Sequence, residues 1–398
     1  MLRHLLKLTW KRKSRNLMLS LEILLAFAIV FAIAAFGLRN WQLYRMPLGF
    51  AAQDVWSVTL KTGTSNGGTP AAFDAFKRSL MELPEVRDVA IASFEPYARS
   101  TTSSAMQAPG GAPVQTEQLE ASDGFASVLG LDIVAGRWFG PGDDGAGTEP
   151  VVINRRLAAA LFPGTNALGR TFVEKDTGAK RHKVIGIVSD YRSKGELGTP
   201  GNFMFERFVT GGAATEATRH AGSLLLRLQP GIARSFESRL HQRLNAIRND
   251  WTYEITPLPD LRRSMLKTSL VPLYVLATIA AFMLLMVAFG LFGALWQNTT
   301  QRIPEIGLRR ALGARSADIY GQIVAEQLLL SSVAIALGLV LLVQLPLTGA
   351  LGASLDWRVF FGAAGLSTIV IYLLSLLCSL YPGWRASRLS PTQALHHE

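Results

Sequence analysis

The run RIPEIGLRRALGAR, residues 302–315, lies between two long apolar segments, and its reading places everything around it. Arg302, Arg309, Arg310 and Arg315 put it on the cytoplasmic side of a membrane, because short loops rich in Lys and Arg are retained there. Ile303, Ile306, Leu308, Ala311 and Leu312 recur at roughly helical spacing and predict an apolar side. A loop built only to stay in solution needs no such side. Glu305 near the start and arginines later match the helix dipole, Pro304 suits a first turn, and Gly313 supplies a stop. The expectation is a short helix that touches a partner; the alternative is a solvated loop that only sets topology.

Working outward, the 398 residues are 49% hydrophobic, too apolar for a water-soluble protein and too polar for a bundle of spans alone. A hydrocarbon core of about 30 Å takes roughly 20 apolar residues to cross. Spans are expected at 17–38, 268–296, 321–347 and 359–381. The first sixteen residues carry six bases and no acid, and Arg385 and Arg388 follow the last span. Both termini of a multi-pass membrane protein are therefore expected inside, which puts the large segment between the first two spans outside the inner face, in a periplasm or at a cell surface. The remaining parts are an amphipathic cytoplasmic N-terminus (1–16), an α+β periplasmic domain (39–267), a cytoplasmic segment (297–320), a short outer loop (348–358) and a cytoplasmic tail (382–398). Glu22 interrupts the first apolar run, so an uncleaved anchor is expected in place of a signal peptide.

Residues 39–268 hold 27 basic and 23 acidic residues, so +7 of the net +11 sits in the short remainder. The high charge is topology, not a nucleic-acid footprint, and no basic cluster is interleaved with stacking aromatics. The one cysteine, Cys378, lies in the last span, so no disulfide within the chain is possible. The histidines have no metal-ligand spacing, and neither a catalytic set nor a metal site is expected.

Within 39–267, strand patterns fall at 54–60 and 86–93, and Phe73, Phe76, Leu80 and Leu83 form one side of a helix between them. Residues 101–111 and 211–221 read as loops, and 119–139 as a helical stretch with a turn. Asn154 is placed to cap a helix after the strand at 151–154, residues 172–173 and 183–188 look like arms of a hairpin, and 232–248 reads as a helix. Residues 2–10 put Leu2, Leu5, Leu6 and Trp10 on one side of an amphipathic helix that would lie on membrane lipid. Glu22 and Glu326 each fall within about two turns of the inner face, where burying a lone carboxylate costs a few kcal/mol, so partners are expected for both.

Five phrases, in order, carry a family likeness. LGLDIVAGRWF (129–139), EPVVINRRLAAALFPGTNALGRTF (149–172), HKVIGIVSDYR (182–192), EIGLRRALGA (305–314) and YPGWRASRLSPTQAL (381–395) resemble segments of the MacB/FtsX-like permeases of ABC transporters. The resemblance implies mechanotransmission: a permease working as a dimer, with a second copy or a paralogue, on a cytoplasmic ABC ATPase. ATP and Mg would be bound by that ATPase, because nothing here matches a G-x-x-x-x-G-K-[ST] loop; no cofactor is expected in this chain. It implies an ATPase-coupling role for Arg302, Glu305, Ile306, Gly307, Leu308, Arg309, Arg310, Ala311, Leu312 and Gly313. Ile306, Leu308 and Leu312 would fill a cleft on the ATPase, and Arg309 or Arg310 would meet its rim carboxylates. Export or extraction of a hydrophobic or peptide-like substrate is implied, with a periplasmic adaptor and outer-membrane channel as further partners. The alternative is an FtsX-like signalling scaffold that controls a periplasmic enzyme.

Overall fold

A computed structural model describes residues 13–61, 70–98, 101–144, 147–175, 180–209, 222–349 and 356–387. In chain order, α1 (Lys13–Arg45) leads to β1 (Val55–Lys61), α2 (Pro70–Met81), β2 (Val86–Ala92), β3 (Thr102–Gln107), β4 (Val114–Ala121) and α3 (Phe125–Leu129). There follow β5 (Ile133–Gly136), β6 (Glu149–Asn154), α4 (Arg155–Leu161), β7 (Thr171–Glu174), β8 (Arg181–Val188), β9 (Phe203–Arg207), β10 (Ser223–Leu228), α5 (Phe236–Ile247) and β11 (Thr252–Pro257). The chain ends in α6 (Leu258–Gln301), α7 (Ile303–Ala311), α8 (Ser316–Leu342), α9 (Gln344–Thr348) and α10 (Trp357–Ser387). Two units result, Met1–Gln42 with Leu270–Glu398, and Leu43–Ser269.

Among the described residues, the helical unit holds four helices long and apolar enough to span a membrane, the form that satisfies backbone amides where water is absent. Lipid offers no hydrophobic drive between helices, so close contact has to come from small residues and interhelical hydrogen bonds. Gly338 of α8 is such a contact: a Cβ there would stand 2.6 Å from the Phe27 ring of α1. Ser331 and Ser375 bond across α8 and α10 at 2.7 Å, and Ser332 meets the Tyr372 hydroxyl at 2.8 Å. Ile23 and Phe27 of α1, Val287 and Leu291 of α6, Ile335 of α8 and Ile371 of α10 share one apolar cluster. Helix α6 runs 44 residues, about 66 Å at 1.5 Å per residue, well past the expected 268–296 at both ends. The apolar run marks only the most hydrophobic part of this helix; beyond it Thr299 and Thr300 return their hydroxyls to the Leu295 and Trp296 carbonyls.

In the other unit, a mixed sheet has the order β11-β1-β10-β2-β4-β3-β7-β8-β6-β9, with β5 on β8. Phe73, Phe76 and Leu80 of α2 pack with Phe236, Leu240 and Leu244 of α5 on β1, β2 and β10, as the spacing of 73, 76 and 80 predicts. The far strand, β9, pairs in parallel with β4 as well as antiparallel with β6. That extra pairing closes β4, β3, β7, β8, β6 and β9 into a ring among the described residues, which removes the free edge that β9 would present. Side chains alternate through it, and Met106, Val151, Ile153, Phe172, Val184 and Met204 share one cluster. Leu157 and Leu161 of α4 join that cluster, and Asn154 caps α4 by accepting from the Leu157 amide at 3.0 Å, as expected.

Two expectations are corrected and one strand is added. Residues 102–107 form β3, not a loop: Thr-Ser-Ser has no apolar pattern to announce a strand, but β4 and β7 supply its backbone partners. Of 119–139, the first three residues complete β4, only 125–129 are helical, and 133–136 form β5 on β8. Strand β11, unread in the sequence, pairs with β1 and leads straight into α6. The hairpin of β7 and β8 stands as expected. The amphipathic segment 2–10, the loop 211–221 and the tail from 388 lie outside the described residues.

On the polar run of the same strand faces, Lys180 lies 3.2 Å from Glu149 and 3.5 Å from Glu206, and His182 lies 3.6 Å from Glu149. Glu120 is opposite Glu206 in the register, and the Gln118 amide donates to Glu174. Burial pushes the Glu206 carboxyl up to about 7; Lys180 opposes this, and Glu149, Glu120 and Glu174 add to it. Burial holds the His182 imidazole below its usual value, against the pull of Glu149. A carboxyl raised in the fold binds more protons folded than unfolded, so its contribution is present at low pH and lost as pH climbs through about 7. Glu206→Gln mimics the protonated form and leaves His182 unchanged. The melting temperature of the variant relative to wild type should therefore rise between about pH 5.5 and about pH 8, a gain on the order of 1–3 kcal/mol; a flat difference across that range would show that Glu206 titrates normally.

Candidate functional site

Helix α7 begins where α6 is stopped. Pro304 has no amide hydrogen and cannot continue the ladder of α6, so the chain turns at Arg302 and restarts with proline in the first turn. At the far end, Gly313 sits at φ +96°, its amide donates to the Arg310 carbonyl at 3.0 Å, and the Ala314 amide donates to the Arg309 carbonyl at 3.0 Å. This pair of bonds is a Schellman ending, which needs a residue tolerant of positive φ at that position.

A chain of polar contacts ties α7 to α8. Arg309 donates to Glu305 Oε1 at 2.7 Å and to Gln322 Oε1 at 2.7 Å. Gln322 donates to Glu326 Oε1 at 2.9 Å, and Arg302 Nη1 donates to Glu326 Oε2 at 2.5 Å. Arg302 and Glu326 are both largely shielded, so the geometry of this pair matters more than that of a surface ion pair. Beneath the polar chain, Ile306 packs on Ile319 and Ile323. The partner expected for Glu326 is thus Arg302, with Gln322 beside it. For Glu22 the accommodation differs: its carboxylate occupies the space that a side chain on Gly290 of α6 would fill.

The apolar residues of α7 consequently divide. Ile306, at 5% exposure, and Gly307 face inward, whereas Leu308 and Leu312 stand 59% and 81% exposed and Pro304 and Ala311 are exposed with them. Positions 304, 308, 311 and 312 make one outward apolar stripe at helical spacing. Ile306 does not join Leu308 and Leu312 on a single face, because the sequence spacing allows both arrangements and the anchoring of Arg302 and Arg309 selects one. Arg309 is committed to Glu305 and Gln322; Gly313 ends the helix. Glu305 holds Arg309 and lies 3.9 Å from Arg302.

Asp190, which follows β8, accepts from Arg156 Nε at 3.0 Å. Phe203 and Phe205 lie two residues apart in β9 and meet Tyr191 edge to face in the core. Sequence reasoning missed Arg192 altogether, although it closes the phrase HKVIGIVSDYR. It is 4% exposed and donates to backbone carbonyls, a role that no residue pattern announces.

Two family descriptions match this chain: MacB-like periplasmic core domain over residues 23–242, and FtsX-like permease C-terminal over residues 277–391. Among curated proteins, the macrolide export ATP-binding/permease protein MacB of Agrobacterium fabrum is 23% identical over 97% of this chain and 59% of its own length. The pyoverdine export ATP-binding/permease protein PvdT of Pseudomonas aeruginosa is 25% identical over 68% of this chain and 41% of its own. The chain thus spans between 41% and 59% of the length of these relatives. Among solved structures, the periplasmic region of MacB from Actinobacillus actinomycetemcomitans aligns with 54% of this chain and 94% of that one, at 16% identity and a TM-score of 0.39.

The division of α7 into an inner and an outer side has a direct consequence. Ile306→Asp buries a carboxylate against Ile319 and Ile323 and should lower stability by about 3 kcal/mol or more. Leu312→Asp, on an exposed position, should leave the melting temperature of the purified protein within a degree or so of wild type. Equal losses in the two variants would mean that the outward stripe is packed after all.

Proposed function

We propose that this chain, which belongs to the MacB-like periplasmic core domain family and carries the FtsX-like permease C-terminal region, is the permease of an export-type ABC transporter. In this proposal α7 docks on a cytoplasmic ATPase, and the binding and hydrolysis of ATP with Mg on that ATPase drive the four spans and the periplasmic unit. The observation that carries it is the stripe of Leu308, Ala311 and Leu312, turned outward on a helix that is itself clamped to α8. A docking element must combine two properties: apolar side chains to bury in the partner, and rigid attachment to the part that moves. The polar chain from Arg309 to Arg302 supplies the second, because α7 cannot tilt without breaking its bonds to Gln322 and Glu326.

In this proposal the chain is a multi-pass protein of the bacterial inner membrane with α7 and both termini in the cytoplasm, a reading that the basic flanks support, and with Leu43–Ser269 in the periplasm. The proposed assembly is a dimer, of two copies or of this chain with a paralogue, and a periplasmic adaptor and outer-membrane channel fit the export role. The named relatives export a macrolide and pyoverdine, so the substrate class proposed here is hydrophobic or peptide-like. The FtsX-like alternative, a scaffold that relays ATPase state to a periplasmic enzyme, shares the C-terminal region; the core-domain match over 23–242 favours export.

Burying one leucine side chain is worth about 2 kcal/mol, or roughly 30-fold in affinity. Purification of the protein from its native membrane should bring down an ATPase, and Leu308→Asp or Leu312→Asp should each weaken that association by at least this factor. The inner-face variant Ile306→Val should keep it. A protein that purifies without any ATPase, or Leu312→Asp complexes of full stability and activity, would overturn the proposal.

A further inference from the structure

Helix movement is of use to a transporter of this kind only if it reaches the sheet unit, and the chain enters that unit at the end of α1 and leaves it at the start of α6. The loop after β8, residues 189–198, holds both places. Arg192 is buried. One of its terminal nitrogens donates to the Leu43 carbonyl at 2.8 Å and the Met46 carbonyl at 3.1 Å. The other donates to the Gly198 carbonyl at 2.9 Å and to the Glu196 carbonyl. The Arg192 amide adds a bond to the Leu48 carbonyl at 3.0 Å.

The last carbonyls of a helix have no partner within it, and a cation there also complements the dipole. A planar guanidinium is suited to the task, since it aims several donors in fixed directions, which a lysine ammonium does not. Gly49 lets the chain lie against the loop: at φ +82° it takes a conformation that favours glycine, and any Cβ would overlap the Asp190 carbonyl. Phe50 then packs on Tyr97 and Tyr191, at 5.6 and 5.4 Å between ring centres.

Four residues further on, the buried carboxylate of Glu196 accepts from Arg262, in the second turn of α6. Leu258 of α6 is fully buried in the cluster that holds Phe50, Tyr97 and Tyr191. The loop therefore grips the end of α1 through Arg192 and the beginning of α6 through Glu196. It also continues directly from β8, which pairs with β6 and β7 in the closed ring and with β5 outside it.

We propose that Arg192 and Glu196 are positioning residues that form the joint through which displacement of α1 and α6 is delivered to the ring of strands. The inference rests on the permease reading above. The end of α1 cannot shift along its axis without breaking the Arg192 bonds, nor the start of α6 without breaking the Glu196–Arg262 pair, and both contacts are made by the one loop. Removal of the joint should leave the sheet folded on its own core and disconnect it from the helices.

The test uses the complete complex with its co-purified ATPase in lipid nanodiscs, spin-labelled at Lys77→Cys and Leu347→Cys. Both positions are exposed, and native Cys378 is buried. The distance between the labels is measured without nucleotide and with ATP trapped. In otherwise wild-type complexes it should change. Arg192→Lys should lose that change while ATP hydrolysis continues, a separation that general destabilisation would not produce. Should Arg192→Lys fail to fold, the pair Glu196→Gln with Arg262→Gln, which keeps volume and removes both charges, decides the matter by the same readout. An undiminished distance change in a folded joint variant overturns the joint. The absence of any nucleotide response in complexes without these changes overturns the permease reading instead.

Discussion

The interaction on which the outward stripe of α7 depends is the polar chain from Arg309 through Gln322 and Glu326 to Arg302. It crosses from α7 to α8 and engages Arg302 and Arg309, which turns Pro304, Leu308, Ala311 and Leu312 outward as an exposed apolar stripe. Without it, a nine-residue helix would be marginal, since short helices gain their stability from packing and not from propensity. Pro304 and Gly313 delimit the helix; the polar chain orients it.

A similar economy holds in the spans. Where the solvent is as apolar as leucine, helices associate through the absence of side chains and through hydrogen bonds. Gly338 receives the Phe27 ring, Gly290 receives the Glu22 carboxylate, and the pairs Ser331–Ser375 and Ser332–Tyr372 hold α8 to α10. Glu22 and Glu326, alike in sequence as acids near the inner face, are housed in different ways. One has an arginine within reach and the other has a glycine.

The periplasmic unit answers a different demand. A sheet with unprotected edges would be open to pairing with other chains, and the return of β9 to β4 closes part of it into a ring. Closure brings the shielded Glu206 and His182 together with the half-exposed Lys180 and Glu149, and burial raises the one carboxyl and depresses the imidazole. The loop leaving this ring at β8 is the one that carries Arg192.

Much of this was legible in the chain itself. Spans, basic flanks, α2 with its side of Phe73, Phe76 and Leu80, the Asn154 cap and the position of α7 all follow from local rules: apolar length, helical spacing, capping chemistry. Strand β3 was hidden because Thr-Ser-Ser becomes a strand only when neighbours offer it hydrogen bonds, and β11 because a short strand running into a long helix has no boundary signal. The sequence alone determined that a short amphipathic helix stands between two spans. Only the tertiary structure decided that Ile306 points in and Leu308 and Leu312 point out, and that Arg192 joins two distant segments. Both outcomes turn on which donors and acceptors meet across elements far apart in the chain, and that pairing has no period for a sequence to display.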